Sequence, residues 1–296
     1  MKRKLNVDIV PSIRRLEIVT KGLLKTKVSG NYRSVFKGRG LEFSEYRPYC
    51  SGDDASMIDW KATLRTNQIL VRQYVEEKEV SVFFLIDCSD SMVFGSTVKL
   101  KNEYTVELVA SLAYAILEAE DSVGMAMFND KIVSKIYPAK GRSQFHVLEK
   151  ALLNPDYYFG AYDFNNAAKF LLNFLKEDSV VIIVSDFVGL KDGWVKFLEI
   201  VSHKFDTIAI MVRDPRDKVL PEDAGQVVIQ DPYSKRSLLI EPELIREVYE
   251  AEMKKQENEI RNAFLRNRAD FLSLTTDKGF TKPVLNLFME RSLRWR

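Results

Sequence analysis

The stretch that most constrains the fold is Val80-Ser-Val-Phe-Phe-Leu-Ile86, an apolar run stopped abruptly by Asp87-Cys-Ser-Asp-Ser91. Seven residues make a strand, and an apolar run without polar alternation needs cover on both faces. Such a strand belongs inside a parallel sheet, where crossover helices supply that cover. The segment that follows fits this. Over 99–120 the apolar residues Tyr104, Leu108, Leu112 and Ile116 recur at helical spacing, with Val109 and Ala113 beside them.

The alternation continues. Strands are expected at 123–128, 131–137, 180–185, 207–212 and 271–274, and helices at 142–153, 164–176, 192–202, 242–268 and 284–293. The segment 227–240 reads as a hairpin turning at Pro232-Tyr233-Ser234-Lys235. These elements predict an α/β fold, a doubly wound and mostly parallel sheet with helices on both faces. Three parts are expected along the chain: a basic N-terminal segment over 1–37, a small β-containing subdomain over 38–79, and the sheet domain over 80–296. The hairpin and the long helix form an insertion in the last of these, at about 217–268.

With 296 residues, 46% of them hydrophobic, the chain can bury a large core. A net charge of +2 is too mild for wholesale nucleic-acid binding, so no nucleic-acid partner is expected. The basic residues are concentrated at the start, where eleven Lys and Arg up to Arg39 face only Asp8 and Glu17. This end reads as a solvated helix followed by a flexible loop in preference to a nucleic-acid or lipid site, with an acidic protein surface as a further possible use. Cys50 and Cys88 are the two cysteines, and no stretch resembles a signal peptide or approaches the ~18 apolar residues that span a bilayer. The expectation is a cytoplasmic protein with reduced thiols.

Two apolar strands end in oxygen-bearing residues, one at Asp87-Cys88-Ser89-Asp90-Ser91 and the other at Ser185-Asp186. In an open parallel sheet, ligands bind beyond the carboxyl ends of the strands. A carboxylate and two hydroxyls at alternate positions can bring three hard oxygens to one small cation, and a second strand can add a carboxylate to hold a bound water. Oxygen-only ligation suits Mg²⁺, or Mn²⁺ and Ca²⁺, rather than zinc. The plainer role for Asp87, Ser89 and Ser91 is to cap a following helix. For Asp186 the plainer role is that of a turn residue. Between Gly38 and Lys61, Asp53, Asp54 and Asp59 are expected to cap or to pair with Arg47 and Arg65, and Trp60 to fill core.

Asp87-x-Ser89-x-Ser91 after an apolar strand resembles the metal-ion-dependent adhesion site of von Willebrand factor A domains, and Asp186 matches the aspartate of a later strand. Gly38-Arg-Gly-Leu-Glu-Phe43, Tyr46-Arg47, Gly52-Asp53-Asp54, Ile58-Asp59-Trp60-Lys61, Glu76-Glu77 and Arg213-Asp214-Pro215 are similar to the signature of a bacterial family called domain of unknown function fifty-eight. The resemblance implies a von Willebrand factor A-type sheet and a metal held by Asp87, Ser89, Ser91 and Asp186. Tyr162 stands where the adhesion site usually has a threonine. It also implies partnership with a MoxR-type AAA+ ATPase and a client protein offering an acidic residue. The protein is then a non-enzymatic adaptor.

Two enzyme alternatives use the same carboxylates. A phosphoaspartyl phosphatase would want a second aspartate where Ser89 stands, and a metal-dependent phosphoesterase or nuclease would use Asp87 and Asp186, with Asp163 as a third. The chain lacks G-x-x-x-x-G-K-[ST], so no P-loop nucleotide hydrolysis is expected. His146 and His203 both fall in helical segments and offer no triad.

Overall fold

The computed structural model describes residues 38–294 apart from 51, 67, 79–80, 177–178 and 223. The basic N-terminal segment, expected as helix and loop, lies outside the described residues. Phe36–Val80 makes one compact unit, and Ser81–Arg296 belongs to the other.

In the smaller unit, β1 (Gly38–Pro48) pairs antiparallel with β2 (Leu70–Lys78), with a register shift between Phe43 and Glu45. The connection carries a short helix, α1 (Trp60–Thr66). Asp53, Asp54 and Asp59 make structural contacts here. Arg47 grips Asp53 through two nitrogens, at 2.6 and 2.7 Å, and the Cys50 amide adds a third hydrogen bond at 2.8 Å. Together they hold the Asp53 carboxyl down at about 2. Asp54 accepts from the Ser56 amide, while Asp59 accepts from the Lys61 and Ala62 amides that open α1 and from the Tyr46 hydroxyl. Trp60, expected in core, is instead 63% exposed. Asp59 turns inward as the cap, and the first residue after it on this one-to-two-turn helix swings out to solvent; no residue of α1 is buried.

The larger unit is built on β3 (Ser81–Asp87), β4 (Ser122–Phe128), β5 (Ile132–Ala139), β6 (Ser179–Ser185), β7 (Asp206–Arg213) and β10 (Asp270–Thr275). The order across the sheet is β10-β7-β6-β3-β4-β5, all parallel except β5, which returns antiparallel beside β4. Among the helices are α2 (Lys101–Glu118), α3 (Arg142–Leu152), α4 (Phe164–Phe174) and α5 (Trp194–Lys204). The hairpin β8–β9 (Val227–Gln230 and Ser237–Ile240) precedes the long α6 (Pro242–Arg266), and α7 (Thr281–Arg294) follows β10. This is the doubly wound, mostly parallel sheet expected from the sequence.

The strands form because their side chains satisfy both faces at once. Phe83 and Leu85 of β3 lie in one cluster with Phe128, Ile183, Leu171 of α4, Leu198 of α5 and Phe264 of α6. The alternate residues Val82, Phe84 and Ile86 point to the other face, and all are buried. Each fully buried Phe or Leu contributes about 2–3 kcal/mol of transfer free energy, so β3 is firmly anchored. By contrast the buried residues of α6 are Pro242 at its start and Ile260 and Phe264 near its C-terminal end, while Leu244 and Val248 remain exposed. No helix of the described residues is long and apolar enough to cross a membrane.

Candidate functional site

From β3 the chain passes to β4 on one side and later to β6 on the other, so the strand order reverses between β3 and β6. At such a point the connections diverge and leave a crevice at the carboxyl ends. Ile86 is in register with Val184, which brings Asp87 level with Ser185. The Ser185 hydroxyl donates to Asp87 Oδ2 at 2.6 Å, and the Ser89 amide donates to Oδ1 at 2.9 Å. The Asp87 carboxylate is thereby fixed in orientation.

Beyond it the chain enters a single 3-10 turn, Asp90–Val93, and the next α-helix begins only at Lys101. Ser89 precedes that turn but makes no capping hydrogen bond. Its hydroxyl lies instead 3.3 Å from the Ser91 hydroxyl, and both residues are buried. The serines therefore face each other, not a helix start.

Two carboxylates flank them, and their surroundings differ. Asp186 follows β6 and is fully buried, with Lys101 Nζ at 2.6 Å; the same ammonium reaches Asp217 at 2.8 Å. Burial works to raise the Asp186 pKa, but Lys101 and Arg213 outweigh it and hold the carboxyl below its ordinary value. Among the described residues no ion pair is made by Asp87. Burial, then repulsion from Asp186, pushes its pKa up against the hydrogen bonds from Ser185 and Ser89. A buried carboxylate without a countercharge sits directly behind two hydroxyls.

Neighbouring loops are tied to this segment. The Phe159 amide donates to the Cys88 carbonyl, the Asp90 amide to the Gly160 carbonyl, and the Gly160 amide to Asp90 Oδ1, each at 2.9 Å. Gly160 has φ +122, and a Cβ there would stand 2.6 Å from Asn129 Nδ2, so only glycine fits. Phe187, just after Asp186, holds the left-handed region with φ 55, a strained conformation stabilised by its amide bond to Ser185 Oγ at 2.8 Å. Tyr162 is buried in the core cluster with its ring 5.7 Å from Phe128, and its hydroxyl lies 3.4 Å from Ser185 Oγ. It backs the Asp87–Ser185 pair from the core. Asp163 caps α4 through the Asn166 amide and pairs with Lys191 at 2.6 Å, so its carboxylate is committed away from Asp87. Cys88 is a packed thiol whose pKa burial pushes well up. His146 is exposed beside Glu149.

Two members of the site were not anticipated. Lys101 opens α2, whose first turns also bury Glu103, Thr105 and Glu107, and is 1% exposed. Tyr233 comes from the β8–β9 turn, 142 residues from Ser91. Its hydroxyl lies 2.9 Å from Ser91 Oγ, 3.1 Å from Ser89 Oγ and 3.0 Å from the Val188 carbonyl. Burial, aided by Asp87 and Asp186, pushes its pKa up, so the phenol is neutral. The sequence shows Tyr233 as an aromatic residue in a turn and Lys101 as one of several charges opening a helix, with nothing that pairs either with Asp87.

The donor set can be weighed against a small divalent ion. Two ligand oxygens at right angles on bonds of about 2.1 Å stand about 3.0 Å apart, close to the serine separation. Asp87 adds an uncompensated negative charge, and Asp186 has its charge shared with Lys101. Among the described residues no three His, Cys, Asp or Glu gather as a metal cluster, so an ion here relies on hydroxyls. The residues fit a hard cation bound by neutral oxygens.

The chain is 27% identical over 287 residues to Uncharacterized protein Rv1480 of Mycobacterium tuberculosis, covering 96% of this chain and 90% of that protein. The same figures describe its similarity to Uncharacterized protein Mb1516 of Mycobacterium bovis. Among solved structures it is similar to the conserved hypothetical protein BatB from Bacteroides thetaiotaomicron, with 12% identity over 73% of this chain and 99% of that one, at a TM-score of 0.47. It is also similar to a von Willebrand factor type A protein from Catenulispora acidiphila, with 9% identity over 47% of this chain and 35% of that one, at a TM-score of 0.32. Residues 45–259, more than half of the sequence, match the family described as "Protein of unknown function DUF58", and the chain belongs to that family.

Proposed function

We propose that this chain is a non-enzymatic adaptor that binds an acidic residue of a client protein at the β3–β6 crevice, with a divalent cation, Mg²⁺ in the first place, held by Ser89 and Ser91. The observation that carries this reading is the pair of buried serine hydroxyls 3.3 Å apart beside Asp87, a buried carboxylate that makes no ion pair among the described residues. When bound, a cation there supplies an electrophilic centre that a carboxylate oxygen of a partner can reach. The chain's own residues do the rest. Asp87, locked by Ser185 and the Ser89 amide, places negative charge behind the hydroxyls, and Lys101 holds Asp186 in line from the opposite strand. Tyr162 and Phe187 close the crevice from the core side, which keeps water from the buried charges. The adaptor's partners in this reading are a MoxR-type AAA+ ATPase and its client, the association that the family signature implies.

The test is calorimetric titration of Mg²⁺ and Mn²⁺ into chelator-treated protein and its Ser89→Ala variant. Saturable binding by the wild type that is lost in the variant supports the reading. Binding that survives Ser89→Ala, or none in the wild type, overturns it.

A further inference from the structure

The hairpin β8–β9 deepens that reading and rests on it. Its turn is built before it meets the site. Asp231 accepts from the Tyr233 and Ser234 amides at 2.8 and 2.7 Å, and those bonds, the Ser234 amide foremost, hold its carboxyl below the ordinary range. Lys235 turns back in the left-handed region, φ 58, with its ammonium on the Pro232 carbonyl and on Asp90 Oδ2, the latter at 2.7 Å. The turn thus presents Tyr233 in a defined direction, and Lys235 ties it to the same segment that carries both serines.

The Tyr233 oxygen and the two serine oxygens form a triangle with edges of 2.9, 3.1 and 3.3 Å. Three hydroxyls on one face of an octahedral ion would stand about 3.0 Å from one another. The proton of the phenol has somewhere else to go. That one proton has acceptors in reach at Ser91 Oγ, 2.9 Å away, and at the Val188 carbonyl, 3.0 Å away; with a cation in place the carbonyl, which can only accept, would take it and leave a lone pair toward the ion. Gly189 is what lets the ring reach this position: a Cβ there would lie 2.8 Å from Tyr233 Cε2.

We propose that Tyr233 is the third hydroxyl ligand of the metal site, so that the hairpin supplies the oxygen for which Tyr162, directed at Ser185, is not placed. Because that ligand stands on a hairpin outside the sheet, metal occupancy and hairpin position are coupled: filling the site pins residues 227–240, and releasing the hairpin weakens the site.

Mn²⁺ titration of the full chain by calorimetry tests this in the wild type, Tyr233→Phe, Tyr233→Ala and Ser89→Ala, with hydrogen exchange of 227–240 measured with and without Mn²⁺. Tyr233→Phe keeps the ring and removes only the oxygen. We expect it to weaken Mn²⁺ at least about tenfold, with an unchanged thermal midpoint, and Mn²⁺ to slow exchange of the hairpin amides in the wild type but not in Tyr233→Phe. Unchanged or tighter binding by Tyr233→Phe and Tyr233→Ala, with Ser89→Ala still inactive, overturns this assignment alone and makes the phenol a plug. No binding by the wild type overturns the metal reading and this assignment with it.

Discussion

The strand ends and the hairpin deliver hydroxyls to one point, yet the two regions could hardly be held more differently. Ser89 and Ser91 follow a strand whose residues Val82 to Leu85 are 0% exposed. Tyr233 stands at the tip of a two-stranded hairpin in which Val228, Leu238 and Leu239 are each about 60% exposed or more. An isolated two-stranded hairpin is marginal in water, so β8–β9 depends for its place on the few contacts its turn makes: the phenol, Lys235 on Asp90, and the ring against Gly189. The lesson is that a site can combine a rigid half, set by the sheet, with a half that is set only when the contacts are made.

That contrast can be broken most severely by hydrogen exchange. Amides of β3 and β6 are expected to exchange more slowly than those of β8 and β9 by about three orders of magnitude or more, because the first open only on global unfolding. Comparable rates would abolish the distinction between the halves. A smaller but still large effect is expected at the boundary between the site and its charges. Replacing Lys101 by Met strands Asp186 and Asp217 without their shared cation, and breaking a buried pair from one side typically costs about 3–5 kcal/mol. Urea titration measures this, and a midpoint equal to the wild type would mean that Lys101 does not compensate the carboxylates. The least effect belongs to the hairpin surface. Leu239→Ser alters an exposed position and is expected to change global stability by no more than about 0.5 kcal/mol; a larger loss in the same titration would show that the hairpin is part of the cooperative core.

The same division explains what could be read in the sequence. Strands such as 80–86 and 180–185 announce themselves because a strand covered on both faces has no room for polar residues, and Asp87 and Asp186 stand out as the residues that end them. Helix ends and strand ends came within a few residues, since the apolar spacing fades before the backbone pattern does. Lys101 and Tyr233 were illegible as site residues. Their roles depend on contacts across 85 and 142 positions, and local periodicity carries no information about such pairs. Tyr162 was placed by analogy with a threonine, and its reach to Ser185 became visible only with the packing of its ring on Phe128. Trp60 shows the opposite failure, in which a large aromatic is assumed to be core although a neighbouring cap had already taken the inward position.

Gly189 carries a consequence for how this molecule can change over generations. Its φ of +88 favours glycine, and the 2.8 Å approach of the Tyr233 ring makes the residue at 233 depend on that glycine. A side chain at 189 would evict the aromatic residue at 233, whereas the positive φ favours glycine at 189 whatever stands at 233. Among descendants of this chain the tyrosine is therefore expected only where the glycine is kept, a one-way linkage that comparison of many sequences could detect before any protein is purified.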